Sequence, residues 1–204
     1  MGELDTASKS LEELVRGLPA ELHAPVREGI EALLAHYAHR DQAPDTQQPG
    51  PDAEVSLREI TADTVRTICR LTDTLTPPRK YMVAPNAVSI AEAYFEPKAW
   101  FRGIYAGEVP VGFVMLYDDP GDPPGHEPDY FLWRFMVAGP HQGKGYGRRA
   151  MELLIDYVNG RPGATELGVS CGQGPGSPEE FYRKLGFERT GDMLGNEVVM
   201  NRAL

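Results

Sequence analysis

Cysteine is scarce in this chain: Cys69 and Cys171 are the only two, about a hundred residues apart. Two thiols so placed make neither a disulfide framework nor a metal cluster, and they suit a reducing cytoplasm. Long apolar runs are missing as well. No stretch approaches the roughly twenty apolar residues that cross a bilayer, so no membrane association is expected. Met1–Pro19 carries acids where a secretory leader has a basic start, and no apolar segment follows. Base is also in short supply, with 20 Lys and Arg against 30 Asp and Glu for a net charge of −10. Nucleic acid, whose phosphates such a charge repels, is excluded as a partner. Against these absences stands an apolar content of 41% in 204 residues, enough for one real core with chain to spare for an appendage.

The acidity is uneven. Residues 1–54 hold eleven acids to four Lys and Arg, whereas residues 55–204 are nearly balanced. The acidic segment reads as a helical extension over residues 1–40. Ser8 is a candidate N-cap followed by Glu12 and Glu13, which suit the positive end of a helix dipole. Gly17 and Pro19 interrupt this helix, and a second is expected from about Ala20 to Tyr37. There Leu22, Val26, Ile30, Leu33, Leu34 and Tyr37 recur at three- and four-residue spacings as one apolar stripe. Residues 41–53, rich in Asp, Gln, Pro and Gly, read as a linker. Two short helices cannot bury their own stripe. The extension is therefore expected to dock on the main domain, on a second copy in a homodimer, or on another protein.

Residues 54–204 alternate in type. A strand at Val55–Ile60 precedes a helix from Thr61 to about Leu75 and a shorter one around Val88–Tyr94. Phe101–Ala106 and Val109–Tyr117 flank Gly107-Glu108 and read as a hairpin, then Tyr130–Val137 as an apolar strand. Trp133 alternates with Phe131 and Phe135, which puts the three on one core face. A helix at Arg148–Val158, a strand at Thr165–Cys171, a helix at Pro178–Leu185 and two final strands complete the order. The fold class that follows is α/β: a mixed sheet with helices on its faces.

Between Val137 and Arg148 runs Gln142-Gly143-Lys144-Gly145-Tyr146-Gly147. A helix N-terminus offers main-chain N–H groups without partners, and glycine lets an anion approach them closely. Strand, glycine loop and helix start together make a seat for phosphate or a plain structural turn, with Lys144, Arg148 and Arg149 adding positive charge. The glycine spacing does not fit a dinucleotide fingerprint, and no Gly-Lys-Ser/Thr follows as a Walker loop requires.

Gln142-x-x-Gly145-x-Gly147 resembles the Gln/Arg-x-x-Gly-x-Gly/Ala signature of the GNAT N-acetyltransferase superfamily. Phe181-Tyr182-Arg183-Lys184-Leu185-Gly186-Phe187 is similar to that family's second signature, in the right order about forty residues on. The resemblance covers about residues 55–204. It implies a GNAT-like acyl-CoA N-acyltransferase fold and acetyl-CoA as cosubstrate, with no metal. Phe135, Met136 and Val137 would end a strand that splays from its neighbour, the Val137 main chain bonding the acetyl or pantetheine group. The amides from Gln142 to Gly147 would bind pyrophosphate, with Arg148 beside them. Tyr182 would be the acid that protonates the departing thiolate. Leu132–Val137 and Val111–Leu116 are similar to the spermine/spermidine (diamine) acetyltransferase branch, which implies a small cationic amine, polyamine-like or aminoglycoside-like, as acceptor. Resistance to an amine-bearing antibiotic is the same chemistry.

An ammonium must lose a proton before it attacks, yet Tyr130–Val137 contains no acid. Glu92, Tyr94 and Glu96 are the first choice for the acceptor side, with Asp118, Asp119 and Asp129 as further candidates for a negative lining. His23, His36, His39 and His126 form no metal set with the cysteines, and Cys171 reads as a small core residue. Two alternatives stand beside small-amine acetylation: a CoA-binding sensor or interaction module, and acetylation of a protein N-terminus or lysine.

Overall fold

The computed structural model describes Arg16 and residues 18–29, 48–50, 52–121 and 129–204. The chain divides into two units, Met1–Ala43 and Pro44–Leu204. In the first, Pro19 precedes a 3-10 turn at Ala20–Leu22, and residues 23–29 continue as helix. The expected helix at residues 8–15, the stripe from Ile30 to Tyr37 and most of the linker lie outside the described residues. No helix among the described residues is long and apolar enough to cross a membrane.

The second unit is built on a seven-stranded sheet in the order β1-β2-β3-β4-β5-β7-β6. The strands are β1 (Val55–Arg58), β2 (Ala99–Ala106), β3 (Val109–Asp119), β4 (Asp129–Val137), β5 (Glu166–Gly172), β6 (Glu188–Leu194) and β7 (Glu197–Ala203). All neighbours are antiparallel except β4 and β5, which run parallel and are joined through a crossover helix. The helices are α1 (Val65–Arg70), α2 (Asn86–Phe95), α3 (Tyr146–Asn159) and α4 (Glu179–Arg183). The element order matches the one read from the sequence. The expected helix from Thr61 to Leu75 is shorter, because α1 tightens into a 3-10 turn at Leu71–Thr74.

Each sheet face has its own core. On one, Met151, Leu154, Ile155 and Val158 of α3 pack against Val114, Leu116, Leu167 and Val169. On the other, Ile68 and Leu71 pack against Phe113, Met115 and Met136. β3 is thus buried on both sides, which explains its unbroken apolar run in place of an apolar–polar alternation. Leu154 is wholly buried. Trp100 stacks on Tyr157 of α3 with centroids 4.5 Å apart.

The expected single face for Trp133 and Phe135 is corrected by a bulge. Met115 pairs with Arg134 and the next residue, Leu116, with Leu132, so Trp133 is the extra residue of β4. Trp133 then packs with the Ile68 cluster while Phe135 packs with the α3 cluster.

Candidate functional site

β4 and β5 pair only at Phe131–Gly168 and Leu132–Val169. Beyond the bulge the two strands part, and their C-terminal ends form an open wedge. Ala138 N donates to Val111 on the β3 side at 2.8 Å. Main-chain groups alternate in direction along a strand, so those of Val137 face the wedge. Gln142 Nε2 donates to the Val137 carbonyl at 2.8 Å, and Arg79 Nη1 donates to Gln142 Oε1 at 2.5 Å. The Val137 carbonyl is thus taken by Gln142, and the Val137 N–H faces the same open edge.

The loop then enters α3 through Gly145, whose φ of +81° only glycine adopts readily. No side chain caps the helix. Its first bond runs from Arg149 N to the Gly145 carbonyl at 3.2 Å, which leaves the amides of Tyr146, Gly147 and Arg148 ahead of it. A groove of about 640 Å³ opens onto this helix end, bounded by Val137, Gln142, Gly143, Gly145, Gly147 and Arg148, with Arg79 and Phe181 across from them. Glycine, unpaired amides and a positive helix end fit a diphosphate. Phe135, Met136 and Val137 line the same groove.

Three loop residues do other work with their side chains. The Tyr146 ring is fully buried and its hydroxyl donates to Pro49 O at 2.8 Å and Gly50 O at 3.0 Å. Lys144 Nζ donates to Gln48, and Arg149 Nη1 donates to Ala53 O at 2.8 Å. The end of the linker is therefore strapped across the start of α3. Tyr146 and Lys144 contribute main-chain amides to the loop, while their side chains fix the preceding segment. His141, unremarked in the sequence, also lines the groove. Burial first and Lys144 next lower its pKa, so its ring is neutral at neutral pH.

A second cavity of about 400 Å³ adjoins the groove, and Phe135, Met82, Val83 and Pro178 border both. It reaches into the wedge, where Tyr182, Ser170, Cys171, Arg134 and Glu197 form its polar wall. Tyr182 comes from α4, a helix held by stacking of Phe181 on Phe135 and by the edge of Phe187. The Tyr182 side chain is buried, and its hydroxyl has no hydrogen-bond partner among the described residues. Burial first, then the neighbouring Cys171 and Glu197, push its phenol well above the ordinary tyrosine range. Held protonated, the phenol keeps an O–H that can donate to negative charge developing beside it.

The expected acceptor residues are placed differently. Glu92 Oε2 accepts from Arg134 Nη2 at 3.2 Å, so it stands behind the cavity wall and not in it. Tyr94 points to solvent at 85% exposure, and Glu96 Oε1 accepts from Lys98 N at 3.0 Å. The turn before α2, from Tyr81 to Ala84, borders the cavity instead. Asp118 and Asp129 are corrected outright as a lining. They sit at the far end of the β3–β4 ladder, separated from Val137 by roughly 26 Å of strand at about 3.3 Å per residue. Asp118 is spent there on Tyr157 Oη at 2.6 Å and Arg161 Nε at 2.8 Å, and Asp119 pairs with Lys98. Glu197 and Ser170 are the polar groups that sequence reasoning missed or left without a role. Glu197 follows a Gly-Asn turn and looks like one more surface acid until the strands are paired.

A wedge between parallel strands, a glycine loop opening a helix on its one side and a buried phenol on its other define an α/β fold with a seat for a diphosphate-bearing ligand. Comparison with known proteins carries this to a family. The profile of the acetyltransferase (GNAT) family matches residues 68–187, and the chain belongs to that family. An uncharacterized N-acetyltransferase of Shouchella clausii is 38% identical over 97 residues, which make up 43% of this chain and 50% of that protein. The match thus spans about half the length of that curated relative. The structure of an acetyltransferase from Thermus thermophilus superposes with a TM-score of 0.54 at 19% identity, over 74% of this chain and 97% of its own. That of the ribosomal-protein-S18-alanine N-acetyltransferase of Escherichia coli gives 0.55 at 13% identity, over 74% and 94%. At such identities the likeness shows the fold.

Proposed function

We propose that the protein transfers the acetyl group of acetyl-CoA directly to a primary amine of a small cationic molecule. The observation that carries this reading is the meeting of two cavities at Phe135 and Pro178, with the unpartnered Tyr182 hydroxyl in the second. The thioester supplies the activated acyl carbon. The amides at the start of α3 hold the diphosphate, and the Val137 N–H, on the open edge of β4, orients the acyl or pantetheine end. Tyr182 gives its proton to the sulfur as it leaves. Met82, Val83 and Phe135 give the cavity an apolar wall on the side it shares with the groove.

The size of the second cavity suits a small acceptor. A polyamine needs several acids spaced along its length, and the ones expected to supply them, Asp118 and Asp129, stand at the other end of β4. The likeness of Leu132–Val137 to the diamine branch therefore extends to the strand and loop and finds no support on the acceptor side. A second reading, acetylation of a peptide α-amine, draws on one observation. Tyr81 borders the cavity at 78% exposure, and Tyr94 and Phe95 expose an aromatic pair on α2.

Release of CoA thiol in the presence of monoamines, polyamines, aminoglycosides and short peptides tests the proposal. Turnover of a small amine supports it. Binding of acetyl-CoA with no turnover of any small amine contradicts it, and turnover of peptides alone moves the reading to the second acceptor class.

A further inference from the structure

The acceptor cavity is bordered by one acid, Glu197, at the first position of β7. Ser170 Oγ donates to its Oε2 at 2.5 Å, and Oε1 has no hydrogen-bond or ion-pair partner among the described residues. The other charges nearby are matched. Arg134 of β4 pairs with Glu92, and Glu179, whose field reaches Cys171, holds Arg189 at 2.7 and 2.6 Å. The titratable groups facing Glu197 from the other elements are Tyr182 of α4 and Cys171 of β5, and burial keeps both protonated. The cavity therefore carries a single uncompensated negative charge on a half-buried carboxylate, beside the phenol that serves the leaving group. Away from bulk water such a charge attracts a cation more strongly than it would at the surface.

We infer that Glu197 receives the ammonium of the acceptor and takes its proton, and that the acceptor carries one ammonium group and is not a polyamine. This rests on the acetyl-transfer reading above. Glu197 accepts one proton from the ammonium, which frees the nitrogen lone pair. That pair forms the C–N bond to the acetyl carbon. The C–S bond breaks, its electrons leave on sulfur, and the sulfur collects the Tyr182 proton. The Tyr182 oxygen recovers a proton from the acylated nitrogen, and Glu197 passes its own to solvent. Ammonium and thioester thus give amide, thiol and one free proton.

Glu197→Gln and Glu197→Asp in the full chain test this, with 2-phenylethylamine and spermidine as probes. Three quantities are read: kcat/KM against pH, affinity of the CoA-loaded protein for each amine by calorimetry, and affinity for CoA itself. Glu197→Gln is expected to lose on the order of 10²–10⁴ in kcat/KM near neutral pH, where the amine is an ammonium, and to recover rate as rising pH frees the amine. Glu197→Asp should recover part of the rate, CoA affinity should stay unchanged in both, and the wild type should prefer the monoamine. An unchanged rate and pH profile in Glu197→Gln overturns the role of Glu197 and leaves the acetyl-transfer reading standing. Preference for spermidine overturns the single-charge acceptor. Amine binding that depends on Glu197 without any turnover keeps the site and removes the transfer reading. A wild type that neither binds nor acetylates either amine overturns the inference.

Discussion

Phe135 of β4 stacks on Phe181 of α4, with ring centroids 5.8 Å apart and planes 17° from parallel. The contact fixes the short helix that carries Tyr182 to the strand end that parts from β5. A Cβ on Gly147 would lie 3.7 Å from both rings and 3.3 Å from Val137, so loop, strand and helix converge at this point. The groove at the start of α3 and the second cavity are two sides of that junction.

The glycine at the start of α3 gives the first prediction. Space around Gly145 is open, with nothing within 4 Å of the methyl that alanine would add, so Gly145→Ala meets no clash. Its cost is conformational, about 1–2 kcal/mol for a left-handed non-glycine residue. Relief of that strain turns the amides away from the groove. The dissociation constant for CoA, measured by calorimetry, should rise by roughly tenfold. An unchanged affinity would separate the loop from diphosphate binding.

The core under α3 predicts a loss of stability without a change of chemistry. Leu154 is wholly buried among β-sheet side chains, and Leu154→Ala should cost about 2–5 kcal/mol in urea unfolding. Turnover per folded molecule should persist, because Leu154 borders neither cavity.

At the opposite end of the sheet, Tyr157 gives a pH dependence. Burial, then its bond to Asp118, push its phenol up to about 12 from the usual 10.0. A pKa raised in the folded state stabilises fully below the unfolded value and is lost as pH climbs through the folded one. Unfolding free energy should therefore fall between about pH 10 and about pH 12 in the wild type. Tyr157→Phe should flatten that fall. At neutral pH it should cost only about 0.5–1.5 kcal/mol, the worth of one hydrogen bond. An equally steep fall in the variant would assign the alkaline loss to other groups.

The legible parts of this protein are the ones whose geometry is local. The glycines of Gln142–Gly147 hold their spacing within six residues, and Tyr182 sits in a seven-residue stretch with its own pattern. Asp118 and Asp129 mislead because a sequence shows that an acid flanks a strand without showing which end faces the site. The role proposed for Glu197 stays hidden for a related reason. Glu197 faces Gly172 and stands near Ser170 only through the β5–β7 register, which unites residues 27 positions apart. The bulge at Trp133 is equally silent, since the extra residue is defined by the partner strand and not by Trp133 itself.

Single-turnover acetyl transfer in the wild type and in Tyr182→Phe probes the junction most directly, with acetyl-CoA affinity measured alongside. The ring is retained and only the proton donor is removed. Equal affinity with a rate lowered on the order of 10²–10⁴ is the predicted result. An undiminished rate would mean that the sulfur finds its proton elsewhere, and the buried phenol would lose its place in the chemistry.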